Sequence, residues 1–376
     1  MIRARLCVSI LAAILVVVGL AADPAGGSPA QGGAELWESR YDPPNLDSAI
    51  SVVVSPDQSK VFVTGSSYRA TSQNDYLTIA YDASTGGVLW ARRYNGPMNG
   101  DDYADSLVVR PDGSKVFVTG SSTGGPSTRD YATIAYDAST GTTVWVRRYN
   151  GPESYSWDVA NSAAASPDGS KIFVTGNSQS AIDNDYATIA YDAATGATLW
   201  VRRYNGPGSG DDAATSVATS PDGSMAFITG IAWTGGGEDY ATIAYDASTG
   251  TTVWVRRYNG PGDYDHPFSV AACPDGSKVL VTGESYATGG NSSYDYATVA
   301  YEASTGATAW IRRYNGPGHC CIDARAGAVD PLVSGSIRSR GPDRRTQQQG
   351  ESLAERRSRD RRSPCGGSER RRGRPR

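Results

Sequence analysis

Tryptophan recurs at positions 37, 90, 145, 200, 254 and 310, at intervals of 53, 55, 55, 54 and 56 residues. A near-constant period of this kind marks a chain assembled from copies of one supersecondary unit, each unable to bury its own faces. The second copy reads as four strand-like runs, "DSLVV", "KVFVTG", "DYATIAYD" and "TTVWVRRY". The turn "RPDGS", a Gly/Ser-rich loop and the turn "ASTG" separate them. In "SPDGS" (residues 166–170) Pro167 pre-sets φ, Asp168 bonds its own backbone and Gly169 takes the positive φ that other residues resist. Gly 44 and Tyr 22 against Met 3 is strand-and-turn composition. The 3.6-residue period of helical solenoids is absent, and β-helix rungs are far shorter than this repeat. The expected fold is all-β, a β-propeller of four-stranded antiparallel blades with five complete blades and an incomplete sixth. Within "YATIAYD", Ile134, Ala132 and Ala135 permit close packing on both faces of the strand.

The run at 135–145, "AYDASTGTTVW", has the form AxDxxTGxxxW and recurs at 80–90, 190–200 and 244–254. It returns at 300–310 with Glu302 in place of the aspartate. This resembles the tryptophan-docking motif of pyrroloquinoline-quinone-like bacterial propellers, and "SPDGSKVFVTG" is similar to the second-strand signature of YVTN-type repeats. The resemblance covers about residues 36–318. It implies that Trp145 and its equivalents dock each blade on the next. Enzymes of that family hold the quinone and a calcium ion with residues outside the motif, and none of those is matched here. Cys320 and Cys321 are similar to the vicinal cysteines of quinoprotein dehydrogenases, but no matched cofactor residues surround them.

Residues 1–22 carry Arg3 and Arg5, an apolar run and then small residues, the pattern of a secretory signal peptide. Residues 23–34 are expected to be a flexible mature N-terminus and 35–318 the repeat domain. The run at 35–41, "ELWESRY", reads as an orphan fourth strand that asks for three more strands after Pro317. Residues 319–376 read as a disrupted sixth blade and a disordered Arg-rich tail, with the stretch after about Pro331 either a frame-shifted reading of a lost blade or a disordered basic tail. From Cys320 onward fifteen Arg face seven Asp and Glu, a charge of +8 that leaves −12 on the rest. An acidic body argues against nucleic acid as ligand. Outside the signal and the last segment the one cysteine is Cys273, so packing must hold the body together.

His266 and His319 are the only histidines, and no nucleophile, base and orienting group can be grouped from the sequence. The polar signal is acidic and lies in the loops leading into each blade. Asp101, Asp102, Asp105, Asp211, Asp212, Asp263 and Asp265 are the candidate metal ligands, of a type that suits calcium. Tyr103, Tyr155, Trp157, Trp233 and Tyr264 are the candidate ligand-stacking residues on the same face. Of each Arg pair, such as Arg147 with Arg148, one is expected to meet an acid on a neighbouring blade and the other to be solvated. The functional expectation is an exported, non-catalytic scaffold that presents one loop-rich face to a protein, glycan or small ligand, with no membrane attachment beyond its export signal. The alternatives are a quinoprotein-type oxidoreductase or hydrolase, and a truncated propeller without activity.

Overall fold

A computed structural model describes residues 35–41, 47–125, 128–153, 156–287 and 293–315, all within one compact unit. Blade 1 consists of β1 (Asp47–Val54), β2 (Lys60–Arg69), β3 (Gln73–Asp82) and β4 (Val88–Tyr94). Blade 2 is β5 (Asp102–Val109), β6 (Lys115–Gly125), β7 (Thr128–Asp137) and β8 (Thr143–Tyr149). Blade 3 is β9 (Asp158–Ala165), β10 (Lys171–Gln179), β11 (Asn184–Asp192) and β12 (Thr198–Tyr204). Blade 4 is β13 (Ala213–Thr219), β14 (Met225–Trp233), β15 (Glu238–Asp246) and β16 (Thr252–Tyr258). Blade 5 is β17 (Asp265–Ala272), β18 (Lys278–Ala287), β19 (Ser293–Glu302) and β20 (Thr308–Tyr314). Every blade is an antiparallel meander in sequence order, and the described residues contain no helix. The expected five-bladed architecture is what the chain adopts. The expected sixth blade, at 319–376, lies outside the described residues.

The repeated words "VTG" and "DxxTG" each meet a steric demand. Every first strand bulges at one residue: Ile50, Asp105, Asn161, Thr215 and Phe268. The bulge presses a carbonyl against the glycine of "VTG". A Cβ on Gly120 would lie 2.0 Å from the Tyr103 oxygen, so no other residue fits. In the "DxxTG" turn, Asp137 accepts the Ser139 and Thr140 amides and both hydroxyls. Those bonds, the Ser139 hydroxyl first, lower its pKa to about 2.

This turn is the seat for the preceding blade. Trp90 lies on Gly141, Trp145 on Gly196, Trp200 on Gly250 and Trp254 on Gly306, where a Cβ would come within 2.6–2.7 Å of the ring. Each indole Nε1 donates to the alanine carbonyl of the same turn, Ala138, Ala193, Ala247 and Ala303 respectively. Deeper in the junction Tyr76, Tyr131, Tyr186 and Tyr240 are fully buried and donate their hydroxyls to Ala132, Ala187, Ala241 and Ala297 of the next blade. At about 25 cal per Å2, burying each indole contributes roughly 3 kcal/mol.

The arginine pairs correct the sequence reading. Arg147 Nε and Nη2 donate to the Gly196 and Thr195 carbonyls, 2.7 and 2.8 Å away on the next blade. Arg92, Arg202 and Arg256 repeat this at their own junctions. The arginine expected to be solvated is therefore a blade clamp. Its partner Arg148 pairs with Asp130 at 2.9 Å inside its own blade, not on a neighbour. The reason is turn geometry: the carbonyls left bare by a tight turn are acceptors that a planar guanidinium can span.

Among the described residues no further blade packs against either end of the series. Trp37 sits on Gly86 and donates to the Ala83 carbonyl, as Trp90, Trp145, Trp200 and Trp254 do at their own seats. Residues 35–41, however, join no ladder among the described residues, so the expected orphan strand is there a segment anchored through Trp37. Val52 and Val54 of β1 are 39% exposed, whereas their counterparts Leu107 and Val109 are 7% and 8% exposed. At the other end Tyr314 is 59% exposed against 8% for Tyr258. Each buried counterpart has a neighbouring blade against it.

Removing either half of one seat tests this account. Trp145→Ala should cost about 3–5 kcal/mol in urea unfolding, and Gly196→Ala about 1–3 kcal/mol. The double variant should fall short of the sum, because both changes empty the same contact.

Candidate ligand-binding face

In a meander, the β2–β3 type loop and the connection into the next blade lie at the same end. Bonds between the two loop sets agree: Asn74 Nδ2 donates to Asp101 Oδ1 at 2.7 Å, and Asn184 Nδ2 to Asp211 Oδ1 at 2.8 Å. These latch blade 1 to blade 2 and blade 3 to blade 4.

The other acids serve the loops as well. Asp102, Asp212 and Asp265 are fully buried and accept the backbone N–H of Gly96, Gly206 and Gly260, as Asp158 does that of Gly151. Asp102 also takes the Thr123 amide and Asp212 the Trp233 amide. Burial raises the pKa of Asp102 and Asp265, and carries Asp212 up to about 6 against its amide donors. Asp105 is the bulge residue of β5, and desolvation lifts it to about 7 while Arg129 works the other way. Asp263 is exposed and bonds Glu238 N through its backbone carbonyl. The seven expected calcium ligands are thus spread over blades 2, 4 and 5 and their loops. Among the described residues no three His, Cys, Asp or Glu side chains converge on a metal position.

Of the aromatic candidates, the structure brings two together. The Arg129 guanidinium lies 4.9 Å from the Tyr103 ring centroid and 5.1 Å from that of Trp157. Tyr103 is fixed in turn by Asn74 Nδ2 at 3.0 Å. A parallel bridge between Arg129 and Trp157 and a bond from Arg129 N to the Ser156 carbonyl tie blade 2 to the strand entering blade 3. Trp157 stays 52% exposed beside a cleft of about 230 Å3 that Gln73, Asp101, Thr123 and Thr128 also line. Trp233 is placed elsewhere, under the glycines of its own incoming loop, where a Cβ on Gly208 or Gly210 would strike its ring at 2.6 and 2.5 Å. Tyr264 stands exposed on blade 5, and Tyr155 lies outside the described residues.

The sequence matches the PQQ_2 family, described as outer membrane protein assembly factor BamB, over residues 28–183 and 132–320. The chain belongs to this family. Membership of this PQQ-type propeller family agrees with the docking role that the motif resemblance implies for the tryptophans. Among solved structures, hydrazine synthase from Kuenenia stuttgartiensis is similar at TM-score 0.50 and 17% identity, covering 70% of this chain and 67% of that one. BamB from Moraxella catarrhalis is similar at TM-score 0.39 and 18% identity, with 73% and 65% covered. TolB from Acinetobacter baumannii is similar at TM-score 0.39 and 19% identity, with 71% and 54% covered. The chain spans about two thirds or less of each of these. At such identities the likeness is one of fold. No curated protein matches the chain.

Sequence reasoning missed Arg129 and a second rim group. His266 Nε2 meets Glu238 across the junction between blades 4 and 5, and its Nδ1 lies 3.2 Å from Glu284 on β18. A signal was available. The residue before "DY" in the third strand is Asn74, Arg129, Asn184, Glu238 or Tyr294, varying where its neighbours repeat. Desolvation works against the imidazolium, and the hydrogen bonds its ring donates to Glu238 and Glu284 overcome it, pushing the His266 pKa up to about 9. A histidine whose folded pKa exceeds the unfolded value of about 6.5 contributes stability below that value and loses it as pH rises through the folded pKa. Melting temperatures from pH 6 to pH 10 should therefore fall more steeply in the native protein than in His266→Gln. The gap at pH 6 should correspond to about 1–2 kcal/mol after solvent screening, and parallel profiles would refute the clasp.

Proposed function

We propose that this protein is an exported, non-catalytic β-propeller that serves as a protein-binding scaffold through its loop-rich face. The observation that carries the reading is the Tyr103–Arg129–Trp157 stack, a half-exposed aromatic held rigid beside a cleft. Tyr, Trp and Arg are the residue types that dominate binding hot spots, and clamping them beforehand lowers the entropy lost on association. The cleft of about 230 Å3 falls below the roughly 300–1,000 Å3 of pockets that enclose small molecules. A protruding side chain of a partner suits it better than an engulfed ligand. The family's description as an assembly factor supports a role in protein interactions, and the signal-like residues 1–22 support work outside the cytoplasm.

A photo-crosslinking amino acid at position 157, compared with one at Val144 on the exposed edge strand β8, tests the reading in the cell envelope. A discrete adduct at 157 alone is expected. Trp157→Ala should weaken the captured partner at least tenfold, about 1.4 kcal/mol, without moving the melting temperature. Adducts of equal yield at both positions would defeat the proposal. Trp157-dependent binding on a glycan array without any protein adduct would replace it with glycan recognition.

A further inference from the structure

Four blades build the same guanidinium seat and fill it themselves. The second arginine of "RRY" reaches the aspartate that opens the third strand: Arg93–Asp75 at 3.5 Å, Arg148–Asp130 at 2.9 Å, Arg203–Asp185 at 2.8 Å and Arg313–Asp295 at 3.1 Å. In each case it also donates to the serine paired with that aspartate across the sheet, Ser67, Ser122, Ser178 or Ser285. In blades 2, 3 and 5 a third partner is the tyrosine hydroxyl that ends the previous blade, from Tyr94, Tyr149 and Tyr258.

Blade 4 keeps the aspartate, Asp239, and the tyrosine, Tyr204, but fully buried Ala232 occupies the serine position. Without that hydroxyl Arg257 keeps its place beside the tyrosine but makes no ion pair with Asp239. Its side chain is exposed, its bond is to Tyr204 OH at 3.4 Å, and among the described residues no carboxylate lies within ion-pair distance. Asp239 stays behind, 5% exposed; its Oδ1 lacks a hydrogen-bond partner, as that of Asp75, Asp130, Asp185 and Asp295 does, but Asp239 alone of the five makes no ion pair among the described residues. Burial, followed by the charge of Asp265, pushes its carboxyl pKa up to about 6. A cavity of about 480 Å3 at the same blade junction is lined by Tyr204 and Arg257 of this seat, with Val255 and Arg256.

We propose that blade 4 carries a binding site for an external guanidinium group, with the Asp239 carboxylate and the Tyr204 hydroxyl as its receptors. The four occupied copies show that a planar fork fits this position, and a buried carboxylate without an ion-pair partner gains most from one. Arg256 does not compete, because its guanidinium is held on the Thr305 and Gly306 carbonyls. Asp263 and Asp265 add negative field at the seat, which offsets the nearby charge of Arg257. The ligand class is a guanidino compound, either free or as the arginine side chain of a peptide.

Titration of the intact protein with N-acetyl-arginine methylamide, methylguanidine and an uncharged citrulline analogue, followed by NMR, tests the site. Saturable millimolar binding of both guanidinium probes and none of citrulline is expected. Asp239→Asn should weaken it at least tenfold. Ala232→Ser, which rebuilds the internal seat and leaves folding intact, should draw Arg257 back and weaken it at least fivefold, whereas Trp157→Ala should have no effect. A tighter arginine peptide than methylguanidine would identify a peptide source, and equal affinity a free compound. Citrulline binding as well as arginine, or unaltered affinity in Ala232→Ser, would overturn the proposal.

Discussion

An indole lying flat on a glycine that cannot bear a Cβ is the contact on which the rest of this structure depends. It fixes the distance between successive sheets, brings Nε1 onto an alanine carbonyl, and places the following arginine over the two carbonyls that the turn leaves bare. One turn therefore satisfies apolar burial and three polar groups at once. The aspartate of "DxxTG" serves this contact indirectly, since it holds the turn whose glycine receives the ring. Glu302 in the fifth copy pairs with Lys278 at 3.7 Å instead, at the blade whose own outer tryptophan is not fully covered.

Because the junction is solved the same way four times, its acids and arginines are mostly committed to the fold. The loop aspartates look like metal ligands by composition, yet each buried one receives backbone N–H groups that would otherwise go unpaired in an interior. Function has to be sought where the pattern departs from itself: Arg129 in place of asparagine, His266 between two glutamates, Ala232 in place of serine.

Those departures differ in how far they were legible. The stack of Tyr103 and Trp157 was half visible, as aromatics in loops of one face, but the cation between them comes from the opposite loop set and joins them only when blades 2 and 3 are in contact. Trp233 had the same sequence credentials and is spent on covering glycines of its own loop. Ala232 looks like an innocuous substitution in a strand. Its consequence depends on the cross-sheet pairing with Asp239, a relation between residues of two strands that no spacing in one strand displays.

The sequence by itself determined the architecture, because strand period, turn glycines and the tryptophan interval are local and are repeated until chance is excluded. It also determined which face carries the long loops, since meander order follows from loop length alone. Tertiary structure alone decided the partners: which carbonyl each arginine spans, which aspartate is left without its guanidinium, and which aromatic stays open to solvent. Partnership across a blade junction joins residues about one full repeat apart, and it is set by how sheets stack, which is a property of the folded assembly and not of any segment within it.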